Sequence, residues 1–449
     1  MRRTLFFVVF GLLGGLLHVP EATADPVERP NVLLILTDDQ PANTLWAMPT
    51  VQSELIDKGT GYSNAFAPTA QCCPSRATIL TGTYVHTHGV WDVNAPYAFA
   101  SFKDSSTIAT WMHAAGYRTG MFGKYLNGYT DEDATYVPPG WDEWRALFNE
   151  TDGEANRGSY FDFNVSQNGY PVENTTDYVT DYLADEAVRF VTESTDPFFL
   201  YFSTTAPHRD ATPAPRHDGA FEGLGPYRPP NFNETNVSDK PSWVRRRPLL
   251  TQADIARNDQ LRIDMHETLL AVDEAINELI AATDGEPTLI IYMTDNGYVF
   301  GEHRLRGKND AYEGSIRLPL ILRQDGVIAA GETDDRLALN VDIAQTIGEA
   351  TGVPTPETEG LPLTGTKVRS RFPVEAIAGG RRPAYCGVRT ERELFVHYAS
   401  GEEEFYNLRR DPYELNNRAS AHAVADKVQT LRASARRLCD PLPPGMPAF

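Results

Sequence analysis

Cysteine is scarce in this chain, and its scarcity limits what can stabilise the fold. Only 4 cysteines occur among 449 residues, and two of them are neighbours, Cys72 and Cys73. A small scaffold held together by many disulfides is therefore excluded. A chain of this length can instead bury a large hydrophobic core, and we expect one large domain together with a smaller one.

Positive charge is also under-represented. The chain carries 40 basic and 61 acidic residues, a formal net charge of -21, and the acidic residues are spread along the sequence rather than collected in a tail. Such a charge argues against a nucleic-acid partner, because DNA and RNA are polyanions. An anionic substrate would have to be captured by a local basic pocket within a solvated acidic surface.

Long apolar runs are missing after the first residues. Two arginines precede an apolar stretch over residues 5–17, and residues 22–24 read Ala-Thr-Ala, the small-x-small pattern of a cleavage site. We predict a signal peptide over residues 1–24 and hence a secreted, extracellular or periplasmic protein, with a retained anchor as the alternative. The apolar stretch is short for a bilayer span and no later one is longer, so we expect no stable membrane insertion.

The mature chain alternates apolar runs typical of buried strands with helical patterns. The run NVLLILT at residues 31–37 lacks the polar alternation of a half-exposed strand, which favours burial on both faces. The predicted strands cover residues 31–37, 117–122, 198–202, 288–293 and 318–322, and the predicted helices cover 107–115, 178–192 and 263–281. This succession predicts an α/β sandwich with a large, mostly parallel sheet between helices, which binds ligands at the carboxyl ends of its strands.

Two regions depart from this alternation. Residues 209–250 are rich in Pro, Asn, Asp and Arg, and we interpret them as a surface insertion that borders a cleft, with disorder as the alternative. Beyond residue 380 the segments become short, with strand patterns at 384–389, 394–398 and 404–408 and a helix at 424–438. We therefore predict a main domain over residues 25–380 and a C-terminal subdomain over 381–449, a small antiparallel sheet with a terminal helix.

The stretch from Gln71 to Gly82 combines a reactive atom, a helix start and a cation. Pro74 and Ser75 favour a helix that opens here, since Pro lacks an N–H that would be unpaired in the first turn. The positive end of that helix and the guanidinium of Arg76 would surround an anion held beside the cysteine. The alternative reading is a pair of small buried apolar residues before an ordinary helix.

Carboxylates follow two of the predicted strands. Asp38 and Asp39 come directly after the first strand, and Asp295 and Asn296 follow the strand at 288–293. Taken alone, such residues often serve in turns and helix caps. Together, three carboxylates and an amide oxygen at neighbouring strand ends would form a hard, oxygen-only site suited to Ca²⁺ or Mg²⁺.

The motif Cys-Cys-Pro-Ser-Arg followed by Leu-Thr-Gly resembles the signature of the sulfatase family, whose fold is alkaline-phosphatase-like. The resemblance implies that a formylglycine-generating enzyme oxidises Cys72 to formylglycine, whereas Cys73 occupies a variable position. It also implies that formylglycine at position 72 completes a calcium site, whose other ligands would be Asp38, Asp39, Asp295 and Asn296. With Cys72 and Cys73 in this motif, Cys386 and Cys439 remain as candidates for a C-terminal disulfide.

The same resemblance assigns the cations and the proton carrier. It implies that the substrate sulfate contacts Lys124 and Lys308, with Arg76 beside them, and that His208 or Lys308 protonates the leaving alcohol. Hydrated formylglycine would offer one hydroxyl for attack on sulfur, and the second would lose its proton as sulfate leaves. Many sulfatases carry a histidine two residues after the first lysine, where this chain has Leu126. The polar residues expected to assist substrate binding are Asn127 and His303.

Within the family, the strings Gly-Lys-Tyr-Leu-Asn at 123–127 and Val-Pro-Pro-Gly-Trp at 137–141 look most like N-acetylglucosamine-6-sulfatases, although arylsulfatases share them. The implied function is hydrolysis of an aryl sulfate or a 6-O-sulfated amino sugar, and the implied partner is a sulfated small molecule or glycan. Two alternatives remain open. One is a phosphate or phosphonate ester hydrolase of the same superfamily, and the other is a binder of sulfated glycans whose Cys72 stays a thiol.

Overall fold

The computed structural model describes residues 29–131, 133, 135–148, 160–283, 285–356 and 358–449. The predicted signal peptide, residues 1–24, lies outside these ranges. Across the ranges that are described, no helix has both the length and the apolarity to cross a membrane.

The strands of the described chain are short, and most belong to one of two sheets. Their bounds are β1 Asn31–Thr37, β2 Thr60–Phe66, β3 Arg118–Gly123, β4 Glu143–Phe148, β5 Phe163–Gln167, β6 Tyr170–Asn174, β7 Phe198–Ser203, β8 Thr288–Thr294, β9 Val299–Phe300, β10 Arg306–Gly307, β11 Arg317–Leu318, β12 Leu320–Arg323, β13 Glu332–Leu339, β14 Arg371–Ala376, β15 Tyr385–Thr390, β16 Glu393–Tyr398 and β17 Glu403–Asn407.

Helices lie between these strands and after them. Their bounds are α1 Cys72–Thr81, α2 Val85–His88, α3 Ile108–Ala114, α4 Val179–Thr192, α5 Ser242–Arg245, α6 Gln252–Ala282, α7 Glu313–Ile316, α8 Ile343–Thr351 and α9 Ala425–Leu438.

The main sheet carries the order β11-β2-β12-β8-β1-β7-β3-β4-β5-β6, with β13 paired to β2, so eleven strands of the described chain take part. The central strands β8, β1, β7, β3 and β4 run parallel to one another. Antiparallel pairs, β12 with β8 and β5 with β4, extend the sheet towards its two edges. The predicted α/β sandwich with a large, mostly parallel sheet is confirmed.

Burial on both faces explains why the central strands are continuously apolar. Successive side chains of a strand point to opposite faces. Leu34 of β1 packs in one core cluster with α1, α3 and α8, and Leu33 packs in a second cluster with α4 and α6. Both leucines are 0% exposed. The run 31–37 is therefore a strand buried on both faces, as predicted.

Two elements differ from the sequence-based expectation. Pro319 interrupts the apolar run 318–322, which forms two short strands antiparallel to β2, because proline cannot donate to the sheet. Helix α6 starts at Gln252 rather than near residue 263, and Thr251 and Asp254 form a capping box at its start. Its first turns are polar, so apolar periodicity did not reveal them.

The C-terminal strands form the predicted small sheet. Strands β14 to β17 are antiparallel in sequence order, and α9 packs on them through Leu431 and Ala435. A disulfide joins Cys386 of β15 to Cys439 at the end of α9. The insertion reaches this sheet, since Trp243 of α5 is 1% exposed and packs in the same apolar cluster as β14 to β17. The small sheet with a terminal helix is thus confirmed.

We predict that C386A/C439A lowers the free energy of unfolding by about 2–4 kcal/mol, because the disulfide closes a long loop in the unfolded chain. The two cysteines are 53 positions apart. Denaturant titration with and without a reductant measures the effect, and reduced wild-type protein is the control. A midpoint that the double substitution leaves unchanged would contradict the prediction.

Candidate active site

Two parallel strands bring the four predicted metal ligands to one edge of the sheet. β1 and β8 pair in register up to their last residues, so the segments that follow them leave the sheet side by side. The backbone N–H of Asp39 donates to Oδ1 of Asp295 over 3.1 Å, and Asn296 Nδ2 donates to Oδ1 of Asp39 over 2.7 Å. With Asp38, all four residues are at most 1% exposed. The strand ends therefore form one buried cluster.

Arg76 holds this cluster from within the protein. Its Nε donates to Oδ2 of Asp295 over 2.8 Å, and its Nη2 lies 3.7 Å from Oδ2 of Asp38. Its Nη1 donates to the carbonyl of Lys124 over 2.8 Å. The side chain is 0% exposed and does not line the cavity described below. Arg76, expected to lie beside the sulfate, is thus a partner of the carboxylates, whose charges it balances.

The donor set fits a hard divalent cation. Oδ1 of Asp38 and Oδ1 of Asn296 are buried and accept no hydrogen bond from any described residue. Burial raises the pKa of Asp39 and Asp295, while for Asp38 burial is outweighed by the charges of Lys124 and Arg76, which lower its pKa. A cation would favour the ionised form of all three carboxylates. Oxygen-only ligands of this kind suit Ca²⁺ or Mg²⁺.

The two adjacent cysteines have different surroundings. Cys72 is the first residue of α1, lines the cavity, and has its Sγ within 4.8 Å of a carboxylate oxygen of both Asp38 and Asp295. Cys73 is 0% exposed in the hydrophobic core, and burial raises the pKa of its thiol. Only Cys72 therefore offers a reactive group to a ligand, at a helix N-terminus that favours anions.

Lys124 and Lys308 face the carboxylates from the cavity. The Nζ of Lys124 contacts Oδ2 of Asp38, and the Nζ of Lys308 contacts Oδ1 of Asp39. Burial alone would lower the pKa of both amines. The charge of Asp38 more than offsets this for Lys124 and that of Asp39 for Lys308, so both pKa values are raised. Both lysines are positively charged at neutral pH and can bind anionic oxygens.

His208 follows β7 and lines the same cavity. Its Nδ1 lies 3.2 Å from the carbonyl of Arg209, and its Nε2 lies 3.8 Å from Oδ2 of Asp39. Because a carbonyl can only accept, Nδ1 must carry the ring proton and Nε2 is the free acceptor in the neutral form. Burial, together with the charges of Lys124 and Lys308, lowers the pKa of this imidazole to about 3. The ring is neutral at pH 7.

Leu126, where many sulfatases carry a histidine, belongs to the hydrophobic core. Leu126 is 0% exposed and packs in the hydrophobic core, so its side chain cannot contact a ligand. The next residue, Asn127, lines the cavity with its Oδ1 4.0 Å from the Sγ of Cys72. The polar contact that this loop can offer a substrate therefore comes from Asn127.

His303 lies apart from the cavity lining. It is 0% exposed, its Nδ1 lies 2.7 Å from Oε2 of Glu234, and its ring packs 4.4 Å from that of Tyr312. Its Nε2 lies 3.2 Å from Nδ2 of Asn231. These contacts join the insertion to the loop that carries Lys308. The ring of His303 is therefore engaged by Glu234 and Tyr312 and does not line the cavity.

The cavity in front of Cys72 has a volume of about 1160 Å³. Among the lining residues that the sequence did not single out are Arg209, Arg257, Tyr298 and Arg306. Arg209 directly follows His208, and Arg306 precedes Lys308 by two positions, so proximity in sequence could have identified them. Arg257 lies in the first turns of α6, which no apolar pattern marks. A cavity of about 1220 Å³ beside α9 shares no lining residue with this one.

A mostly parallel sheet between helices, with a buried carboxylate cluster at the carboxyl ends of its central strands, is the architecture of an alkaline-phosphatase-like α/β protein. Within this class the chain belongs to the sulfatase family. The Sulfatase family model matches residues 30–353, and so covers both strand-end motifs and the segment that begins at Cys72. The resemblance carried by that segment is confirmed.

Relatives from animals and one solved structure illustrate the similarity. The chain is 32% identical to N-acetylglucosamine-6-sulfatase of Capra hircus, over 91% of the chain and 83% of that protein. It is 34% identical to the extracellular sulfatase SULF-1 homolog of Drosophila melanogaster over 73% of the chain, but spans only 30% of that protein. The structure of BT4656 with its substrate D-glucosamine-2-N,6-O-disulfate has a TM-score of 0.79 at 25% identity, covering 92% of this chain and 98% of that one.

We predict that Ca²⁺ raises the melting temperature of protein first treated with a chelator, because a cation relieves the repulsion among the buried carboxylates. At a hundredfold excess over its Kd, a ligand adds about 2.7 kcal/mol to the free energy of unfolding. Calorimetry should show this gain in wild-type protein and lose it in Asp295→Asn. Asp335→Asn, at an exposed carboxylate, is the control and should keep it. An equal gain in both variants would refute the assignment of Asp295.

Proposed function

We propose that this chain is an exported hydrolase of sulfate esters that acts through a formylglycine made from Cys72 and one divalent cation, Ca²⁺ or Mg²⁺. The observation that carries the proposal is the placement of Cys72, which meets the cavity at a helix N-terminus between carboxylates and two charged lysines. Membership of the sulfatase family supports it, as do the names of the extracellular relatives. Residues 25–380 would form the catalytic domain and 381–449 the C-terminal subdomain, to whose sheet strand β14 at Arg371–Ala376 also belongs.

The side chains of this site can bind and orient a sulfate ester. Lys124 and Lys308 supply two fixed positive charges at the cavity wall, and α1 begins at Cys72 in that wall, so the positive end of the helix also attracts an anionic group there. Asn127 offers a polar contact beside position 72. When present, hydrated formylglycine would supply a hydroxyl nucleophile, and the cation would lower the pKa of that hydroxyl and polarise the sulfate.

Proton transfer falls to His208 and Lys308. The Nδ1–H of His208 donates to the carbonyl of Arg209, so Nε2 carries no proton in the neutral ring and can accept one. Lys308 is a charged donor in contact with Asp39. One group can accept a proton and the other can donate one to the departing oxygen, which are the two transfers that ester cleavage requires.

The proposed substrate is a 6-O-sulfated amino sugar or an aryl sulfate. The goat relative is named for N-acetylglucosamine 6-sulfate, and the BT4656 structure holds a 6-O-sulfated glucosamine. Maturation would require a formylglycine-generating enzyme as a transient partner. The proposed partners are thus a sulfated glycan or small molecule and the maturation enzyme.

We predict that C72A removes at least several orders of magnitude of sulfatase activity while leaving the fold intact, because alanine cannot be converted to formylglycine. C73A is the matched control, since that side chain lies in the core and should tolerate the change with activity retained. Turnover of an aryl sulfate measures both variants. Near-normal turnover by C72A would overturn the mechanism.

A mass spectrum of the wild-type peptide that contains Cys72 tests the modification directly. Replacement of the thiol by an aldehyde, in protein made in a host with the maturation enzyme, is the expected result. A thiol retained together with tight binding of sulfated glycans would instead establish a binding protein. Faster turnover of an aryl phosphate or phosphonate than of the matched aryl sulfate would establish the alternative hydrolase.

Substitution of His208 by alanine should lower kcat by about 10²- to 10⁴-fold, which is the usual contribution of one general acid or base. His113→Ala is the control, because this histidine on α3 is exposed and pairs only with Asp142 among described residues. Steady-state kinetics with an aryl sulfate measure the effect. A loss below tenfold in His208→Ala would remove this residue from the proton-transfer step.

A further inference from the structure

The wall of the catalytic cavity carries more positive charge than one sulfate requires. Five basic residues line the cavity, against three acidic ones, in a chain whose net charge is -21. Lys124 and Lys308 contact the carboxylate cluster. The three remaining basic residues, Arg209, Arg257 and Arg306, come from three separate elements, which are the loop after β7, helix α6 and strand β10.

These arginines are only partly neutralised. Arg257 Nη2 and Arg306 Nη1 lie 2.7 and 3.0 Å from the same oxygen of Asp254, so one carboxylate serves two guanidinium groups. Their side chains are 68% and 46% exposed. Arg209 is exposed and forms no ion pair with any carboxylate of the described chain. At least one positive charge at the cavity wall is therefore available to a ligand.

The acidic residues of the wall offset this charge only in part, since they are fewer than the basic ones. Asp39 is occupied by Lys308. Asp264 accepts a hydrogen bond from Gln260 Nε2 over 2.7 Å, and burial raises its pKa. Asp210 is the third acidic residue and lies next to Arg209 in sequence.

Tyr298 also lines the cavity, and its phenol is influenced by two of these arginines. Burial raises the pKa of Tyr298 to about 12, whereas the charges of Arg209, Lys308 and Arg306 oppose that rise. Arg209 is adjacent to His208, and Arg306 lies two positions before Lys308, so the Cα atoms of that pair are at most about 7 Å apart. Arg209 and Arg306 are therefore near the groups that would hold the reacting sulfate, and Arg257 is linked to them through Asp254, which it shares with Arg306.

We propose that Arg209, Arg257 and Arg306 form a second anion subsite, and that the substrate carries a second anionic group within one sugar residue of the reacting sulfate ester. This inference rests on the proposed function. Guanidinium groups suit the role because they bind the oxygens of a sulfate or carboxylate through two parallel N–H donors. The second group is an N-sulfate on the same amino sugar or the carboxylate of a linked hexuronic acid.

Three substrates distinguish these sources. N-acetylglucosamine 6-sulfate has one anion, glucosamine 2-N,6-O-disulfate adds an N-sulfate, and a hexuronic acid linked to N-acetylglucosamine 6-sulfate adds a carboxylate. Wild-type protein should show about a tenfold higher kcat/KM for at least one doubly anionic substrate, since hydrogen bonds between charged groups are the stronger kind. Added salt should reduce that preference. Equal kcat/KM for all three substrates would overturn the subsite.

Substitution of the arginines tests whether they cause the preference for doubly anionic substrates. R257Q/R306Q should lower the ratio of doubly to singly anionic kcat/KM by about tenfold, and R209Q, which breaks no ion pair within the described chain, should lower it by several-fold. R246Q is the control, because Arg246 is an exposed arginine of the same insertion that does not line the cavity. A ratio that falls equally in R246Q, or stays unchanged in R209Q and R257Q/R306Q, would refute the proposal.

Binding to C72A separates this inference from the proposed function. Calorimetry on this non-reacting variant should give about a tenfold lower Kd for the preferred doubly anionic sugar than for N-acetylglucosamine 6-sulfate. Tighter binding without any wild-type turnover would retain the subsite and reject the hydrolase. Turnover with no binding preference in C72A and none in kcat/KM would retain the hydrolase and reject the subsite.

Discussion

Burial of three carboxylates at the end of one sheet is the constraint on which the rest of the structure depends. Asp38, Asp39 and Asp295 are at most 1% exposed, and removing each charge from water costs several kcal/mol unless a partner compensates for it. Arg76 supplies one partner from the core, and Lys124 and Lys308 supply two from the cavity. The parallel pairing of β1 and β8 fixes the cluster, and the cations must be brought to it from elsewhere in the chain.

The insertion and the C-terminal sheet hold Lys308 in position beside the buried carboxylates. Arg304, four residues earlier, donates to the carbonyls of residues 234, 235 and 247, which fastens the lysine loop to the insertion. On the other side of the loop, the hydroxyl of Tyr312 donates to Glu404 of β17 over 2.7 Å. The carboxylate of Glu404 also accepts from Tyr398 and Tyr406, so the anchor is rigid. The parts of the chain furthest from Cys72 in sequence thereby hold one of its cations.

Sequence alone was sufficient to predict the structure where the local residue pattern and the burial agree. The apolar run 31–37 became β1 because both of its faces are covered, and Cys72 opens α1 because Gln71 is extended and Pro74 suits a first turn. It was insufficient where tertiary contacts decide the direction in which a side chain points. A motif shows that Arg76 follows Cys72 by one turn, but not that its guanidinium points inward to Asp295. Only the packing of the insertion shows that His303 is directed to Glu234 and not to the cavity.

The contrast between surface and cavity determines how an anion can be recognised here. A net charge of -21 repels an approaching polyanion, and at physiological salt this repulsion is screened within about 8 Å. Long-range attraction therefore contributes little to substrate capture, and affinity must come from contacts made inside the cavity. Arginine suits such contacts better than lysine, since its planar group pairs with two oxygens at once. Under the proposed function, the lysines at the carboxylates would balance charge at the reacting centre, and the arginines at the wall would make oriented contacts around it.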